Sequence, residues 1–230
     1  MITFLQTATD AAIEAVPVQE ELSFSLISMA AKGGWLMLVL LALSIVAIYI
    51  FGKKWWAIRQ AGKIDKNFIK DVDNYLLEGK VRSARALCKR SDTPIARMID
   101  KGIERIDKPL SDIRIAVENV ANVEVAQLEK GLPILATIAG GAPMIGFLGT
   151  VMGMVQAFFN MAQAGNNIDI TLLSGGIYTA MITTVGGLIV GILAYFGYNF
   201  LTARISELVY SMENATIKFL EMAAENPKTE

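Results

Sequence analysis

The stretch Gly131–Ala203 reads GLPILATIAGGAPMIGFLGTVMGMVQAFFNMAQAGNNIDITLLSGGIYTAMITTVGGLIVGILAYFGYNFLTA, and its reading decides the fold. Its only charged residue is Asp169, which divides it into two uncharged runs, Gly131–Ile168 and Ile170–Ala203. Each run is longer than the roughly 20 apolar residues a bilayer-spanning helix needs. Both also carry hydroxyls, amides and glycines at helical spacing, for which a helix facing only lipid has no use. In the first run Gly149, Gly153, Gln156, Asn160 and Gln163 recur every three or four residues and so share one face, bordered by Thr150. In the second, Gly176, Thr179 and Ala180, Thr183, Gly187 and Gly191 do the same, with Thr184 beside them.

Two readings of these stripes stand. Gly149-x-x-x-Gly153 and Gly187-x-x-x-Gly191 serve close helix packing, since small residues let backbones approach. Gln156 and Asn160 are costly to place in hydrocarbon and belong against protein or water. With Thr150, Thr179, Thr183 and Thr184 they would make a polar wall near mid-membrane. No acidic or basic side chain lies inside either run, so such a wall cannot relay protons by itself. A partner would have to supply the charged group.

A third uncharged run, Gly33–Gly52, is also long enough to span. Trp35 sits near one end and Lys53, Lys54, Trp55 and Trp56 near the other, as interfacial anchors do. With few polar residues, it reads as an anchor and packing helix. The chain of 230 residues is 53% hydrophobic, and the concentration of that fraction in three blocks indicates an all-α membrane protein. The expected segments are a leader over 1–32, a span over 33–52, a helical domain over 53–130, a second span with its extension over 131–163, a turn over 164–171, a third span over 172–203 and a C-terminal helix and tail over 204–230.

Residues 53–130 hold 17 of the 21 lysines and arginines. By the positive-inside rule this domain and the C-terminus face the cytoplasm, and the N-terminus and the 164–171 turn face outward. Within the domain, Gly79 breaks one helical pattern, Ser91-Asp92-Thr93-Pro94 stops and restarts another, and Lys108-Pro109 interrupts a third. From Leu110 the pattern is expected to continue without a break into the second span. Ile205–Ala224 reads as an amphipathic extension of the third span that pairs with residues 110–130. Residues 1–31 lack an early basic residue, which argues against a secretory signal. They read either as a surface-lying amphipathic helix or as a partly ordered tail.

Composition also excludes. The chain has no histidine and one cysteine, Cys88. Histidine triads, histidine metal sites and an intramolecular disulfide are therefore ruled out. No enzyme activity, cofactor, metal or nucleic-acid partner is expected. Cys88 reads as a small buried apolar residue, and Asp169 as a solvated helix cap on the outer turn.

Three segments give the chain a family resemblance: Leu87–Arg97 (LCKRSDTPIAR), Leu128–Ala139 (LEKGLPILATIA) and, above all, Ala142–Met154 (APMIGFLGTVMGM). Gly176-Ile177, Thr183-Thr184 with the following glycines, and Tyr198-Asn199 continue it. On these residues the sequence resembles the ExbB/TolQ/MotA family of ion-driven membrane subunits. Three spans with a large cytoplasmic domain are closer to its ExbB and TolQ branches than to four-span MotA. The resemblance implies a homo-oligomeric, pentameric ring around single spanning helices of an ExbD/TolR-like partner, whose aspartate carries the proton. It implies a bacterial inner-membrane location and the energising of a TonB-like protein for transport across the outer membrane. Thr150 and Thr184 match the family's polar positions beside that aspartate. Several members carry a glutamate five residues before the second of these, where this chain has Thr179. The alternatives are a TolQ-like role in envelope constriction, a structural scaffold without ion flux, and a self-contained transporter. Three spans, no inverted repeat and no intramembrane charge disfavour the transporter.

Overall fold

The computed structural model describes residues 34–63, 67–163 and 170–225. The expected leader and the turn carrying Asp169 lie outside the described residues. Every regular element among the described residues is a helix. In chain order these are α1 (Gly34–Ala61), α2 (Phe68–Leu77), α3 (Val81–Ser91), α4 (Pro94–Ile103), α5 (Leu110–Glu129), α6 (Leu132–Gln163) and α7 (Ile170–Glu225). α1, α6 and α7 are long and apolar enough to cross a membrane. At 1.5 Å per residue the 56-residue α7 is about 84 Å long, far more than a bilayer thickness. One continuous helix therefore serves both the membrane layer and the domain beyond it.

The small helices begin and end where local chemistry dictates. Gly79 takes φ +70° just past α2, and Lys80 N–H donates to the Tyr75 carbonyl at 2.8 Å. α3 stops at Asp92, whose φ of +42° is the left-handed conformation that Asp tolerates better than most residues. Thr93 then caps α4 by accepting from Ala96 N–H at 3.3 Å, with Pro94 in the first helical position. Pro109 occupies the cap position before α5.

α4 is the centre of this domain, with Ile95, Ala96, Met98, Ile99 and Ile103 all buried. The lower half of α7 runs beside it and presents Leu201, Ile205, Leu208, Met212, Ala215 and Phe219, a buried stripe at alternating steps of four and three. α5 packs along the same stretch of α7 through Ile113, Val117 and their neighbours. The contact is tight at Gly102, where a Cβ would collide with the Phe219 ring and Val117. Arg97 ties α4 to α5 by a two-pronged ion pair with Glu124, at 2.6 and 2.7 Å, and also reaches Asp92 beyond α3. The guanidinium's pKa is raised, chiefly by its hydrogen bond to Glu124.

The junction between α5 and α6 differs from the expectation of an unbroken helix after Leu110. The chain turns at Lys130 and Gly131, and Gly131 takes φ +97°. Pro133 follows in the first turn of α6, where its missing N–H costs nothing. Lys54 of α1 donates to the Gln127 carbonyl at 2.9 Å, satisfying one acceptor freed near the end of α5.

Cys88 is buried on α3, in agreement with its reading as a small core residue. Burial pushes its thiol up to about 12. At pH 8 the thiolate fraction should then be roughly 10³-fold below that of a free cysteine. Maleimide labelling of the folded protein is expected to be slower by at least that factor, with full labelling restored by denaturant. The sign of the pH effect follows. The unfolded chain loses this proton first, so stability contributed by the neutral thiol declines as pH rises from about 8.5 toward 12. Rapid labelling at pH 8 without denaturant would show Cys88 to be accessible.

Candidate functional site

The two stripes picked out by their spacing meet along a seam between α6 and α7. A Cβ on Gly187 would lie 2.6 Å from the Ala142 carbonyl oxygen and 2.9 Å from the Gly146 Cα. One on Gly153 would lie 2.7 Å from the Ala180 Cβ, and one on Gly176 equally close to the Ala157 Cβ. One on Gly191 would strike the Pro143 ring. Helix backbones this close exchange dispersion contacts along their whole length, which replaces the hydrophobic driving force that lipid removes. The glycines Gly149, Gly153, Gly187 and Gly191 thus have packing roles.

Thr183 belongs to this seam as well. It is buried, donates to the Ala180 carbonyl at 2.7 Å and fills the space in front of Gly149. It satisfies its own hydroxyl within the helix and has no open side. Its burial and its bond to its own helix support a packing role for Thr183 within this chain. The amides depart from their expected face. Gln156 and Asn160 are exposed, off the glycine seam, and bond to each other at 2.9 Å. Ala157 rather than either amide continues the seam, against Gly176, and Gln156 lies about 100° around the helix from it.

Thr150 and Thr184 stand at the border of the seam, each half-buried. Their hydroxyl oxygens are 2.5 Å apart. Both also point at one acceptor, the Gly146 carbonyl, at 3.3 Å from Thr150 and 3.0 Å from Thr184. Two hydroxyls carry two protons for three possible bonds, so the trio always leaves hydroxyl lone pairs available to an outside donor. Placing Gly146 beside Gly187 is what lets α7 approach enough for Thr184 to reach across to α6. Gly146 was not singled out from the sequence, though it continues the same rhythm three residues before Gly149.

Which way this pair faces follows from α1. Leu36 lies against Gly149, and Met37 and Leu40 against Gly186, so α1 covers the other side of the α6–α7 pair. Around the threonines, Phe147, Met154, Ile177, Met181 and Leu188 are all exposed. The pair therefore sits near the middle of both uncharged runs, within an apolar surface left open by the rest of the chain. Thr179 lies one turn and more away on α7 and is half-buried. Neither α6 nor the uncharged part of α7 contains Asp, Glu, Lys, Arg or His among the described residues. This wall can donate and accept hydrogen bonds but holds no side chain that titrates near neutral pH.

Known proteins are similar to this chain over the same stretch. Residues 90–214, which include α4 to α6, the threonine pair and most of α7, match the MotA/TolQ/ExbB proton channel family. A biopolymer transport protein ExbB homolog of Methanothermobacter thermautotrophicus is 27% identical over 82% of this chain and 67% of its own length. The Tol-Pal system protein TolQ of Haemophilus influenzae is 34% identical over 45% of each chain. The biopolymer transport protein ExbB of Neisseria gonorrhoeae is 33% identical over 46% of this chain and 48% of its own. With three helices fit to cross a membrane and more than half its length matched, the chain is a multi-pass membrane protein belonging to the MotA/TolQ/ExbB proton channel family.

Proposed function

We propose that this chain is the ring-forming subunit of an inner-membrane energiser in which the conducting charge comes from a second protein. Five copies surround the spanning helix of an ExbD/TolR-like partner, and the N-terminus and 164–171 turn face outward. The open face with Thr150 and Thr184 points inward at an aspartate of that helix. One observation carries the reading: two mid-span hydroxyls converge on one carbonyl, turned away from α1, in a wall with no acidic or basic side chain of its own. Such a wall holds water or a carboxyl group by hydrogen bonds while leaving protonation to the partner. Moving one elementary charge down 100 mV releases about 2.3 kcal/mol, so a few protons supply the energy of a conformational step. By the family resemblance, several members carry a glutamate at the position of Thr179. With α6 and the uncharged part of α7 offering no carboxylate among the described residues, the partner's aspartate carries the titration in this reading.

The task we assign is energising a TonB-like protein for transport across the outer membrane. Matches to ExbB homologs cover the larger part of the chain and support this reading; a TolQ-type role in envelope constriction is the alternative. The test is proton uptake into liposomes under an imposed potential, followed with a pH-sensitive dye. Uptake is expected only when the chain is reconstituted with its single-span partner, and only while the partner's membrane aspartate is intact. Equal uptake by the chain alone would overturn the division of labour.

A further inference from the structure

At the basic end of the membrane layer, α1 and α7 run parallel and part from one another. Their contacts advance in the same direction: Met37 meets Gly186, Phe51 meets Gly197, and Trp55 meets Phe200. Two cavities open along this cleft, one after the other. The first, about 530 Å³, is lined by Ser44, Ile48, Phe51, Leu193 and Phe200, with Leu135 at its back, and is almost wholly apolar. The second, about 390 Å³, lies one turn further on and is lined by Trp55, Arg59, Arg204, Glu207 and Ser211. The rings of Phe51, Trp55 and Phe200 form the shared wall between them, with Trp55 and Phe200 centroids 5.0 Å apart.

We propose that this cleft is a built site for one anionic phospholipid, its phosphate held between Arg59 and Arg204 and an acyl chain lying in the apolar cavity. The dimensions fit. From Ser44 to Arg59 α1 rises about 22 Å, the thickness of one leaflet with its headgroup. The charge fits as well. Arg59 has no hydrogen-bond or ion-pair partner among the described residues. Arg204 gives one nitrogen to Glu207 at 2.8 Å and lies over the Phe200 ring at 5.6 Å, leaving other donors of its guanidinium free. Two guanidiniums against one carboxylate leave a net positive rim, and arginine forks match phosphate oxygens. Trp55 and Ser211 complete an interface-like lining in which ring and hydroxyl meet a headgroup.

The experiment is thermal unfolding of the purified full-length oligomer in neutral detergent, titrated with phosphatidylglycerol, phosphatidylcholine or inorganic phosphate. Phosphatidylglycerol at about a hundred times its Kd should raise Tm by roughly 5–10 °C, and the other two should raise it little. R59Q/R204Q should lose that shift, while R59K/R204K keeps part of it. Leu193→Trp, at an exposed position, should lose it by filling the acyl groove with both arginines intact. The proposal is overturned by equal shifts with phosphatidylcholine, which mark an unselective lipid collar, or with inorganic phosphate, which mark a plain anion site. It is also overturned if R59Q/R204Q or L193W keeps the full shift, or if R59Q/R204Q changes the oligomer mass with no lipid effect, since a second copy would then cover the cleft.

Discussion

Gly146→Val and Gly187→Val are each expected to cost about 3 kcal/mol or more and to lower Tm by roughly 10 °C, with much of the expressed protein failing to assemble. The reason is that the neighbours of these glycines are backbone. A Cβ on Gly146 would sit 2.9 Å from the Thr183 carbonyl oxygen and 3.1 Å from the Cα atoms of Gly187 and Thr184. A Cβ on Gly187 would meet the Ala142 carbonyl and the Gly146 Cα. No rotamer change relieves these clashes, so the whole of α6 or α7 must move outward and the seam opens along its length. Gly140→Ala is the control on the same helix. A Cβ there meets nothing within 4 Å, and alanine's better helix propensity should leave stability unchanged or slightly higher. A thermal-melt series on the three variants checks this, and equal melting for Gly146→Val and Gly140→Ala would refute the close seam.

The second large effect is functional. Thr150→Val with Thr184→Val keeps the shape of both side chains and removes both hydroxyls. Because each hydroxyl touches only the other and the Gly146 carbonyl, little of the fold depends on them. Stability and oligomer size should hardly change. A carboxyl group passing this wall would lose two hydrogen bonds worth about 1 kcal/mol each, which corresponds to a fall of roughly 30-fold in partner-dependent proton flux. Thr183→Val is the contrasting variant. Its hydroxyl is spent on its own helix, so its flux should stay near that of the natural chain. A loss of flux with Thr183→Val equal to that of the double variant would return Thr183 to the pathway.

Much of the architecture was legible before any coordinates. Uncharged runs long enough to span, and caps and breakers such as Gly79, Thr93-Pro94 and Pro109, act through local rules that neighbours seldom override. The three spans and most helix boundaries of the 53–130 domain follow from them. The break at Gly131 was missed because Leu110–Glu129 and Leu132–Gln163 are in helical register with each other. A glycine between them signals a turn only once a positive φ is known. The site was half legible. Spacing groups the glycines, threonines and amides by face on α6 and α7, but it does not say which neighbour a face meets. Thr183 and Thr184 differ by one residue, 100° of helix rotation, and that step separates a packed hydroxyl from one at an open border. Gln156 and Asn160 were placed with Gly149 and Gly153 by the same arithmetic. The close crossing continues past Gln156 through Ala157 and Gly176, but the two amides stand on the exposed side of α6.

Cross-linking in a Cys88→Ala background decides whether the open border of the seam faces the partner. Single cysteines at Thr150, Thr184 and, on the far side, Leu38 of α1 are each paired with one placed a turn from the partner's membrane aspartate. Rapid disulfide formation with the Thr150 and Thr184 sites and none with Leu38 is the expected result. Bonding at Leu38, or none at either threonine site in a complex that still conducts, would mean that the hydroxyl wall faces something other than the charge proposed for the partner.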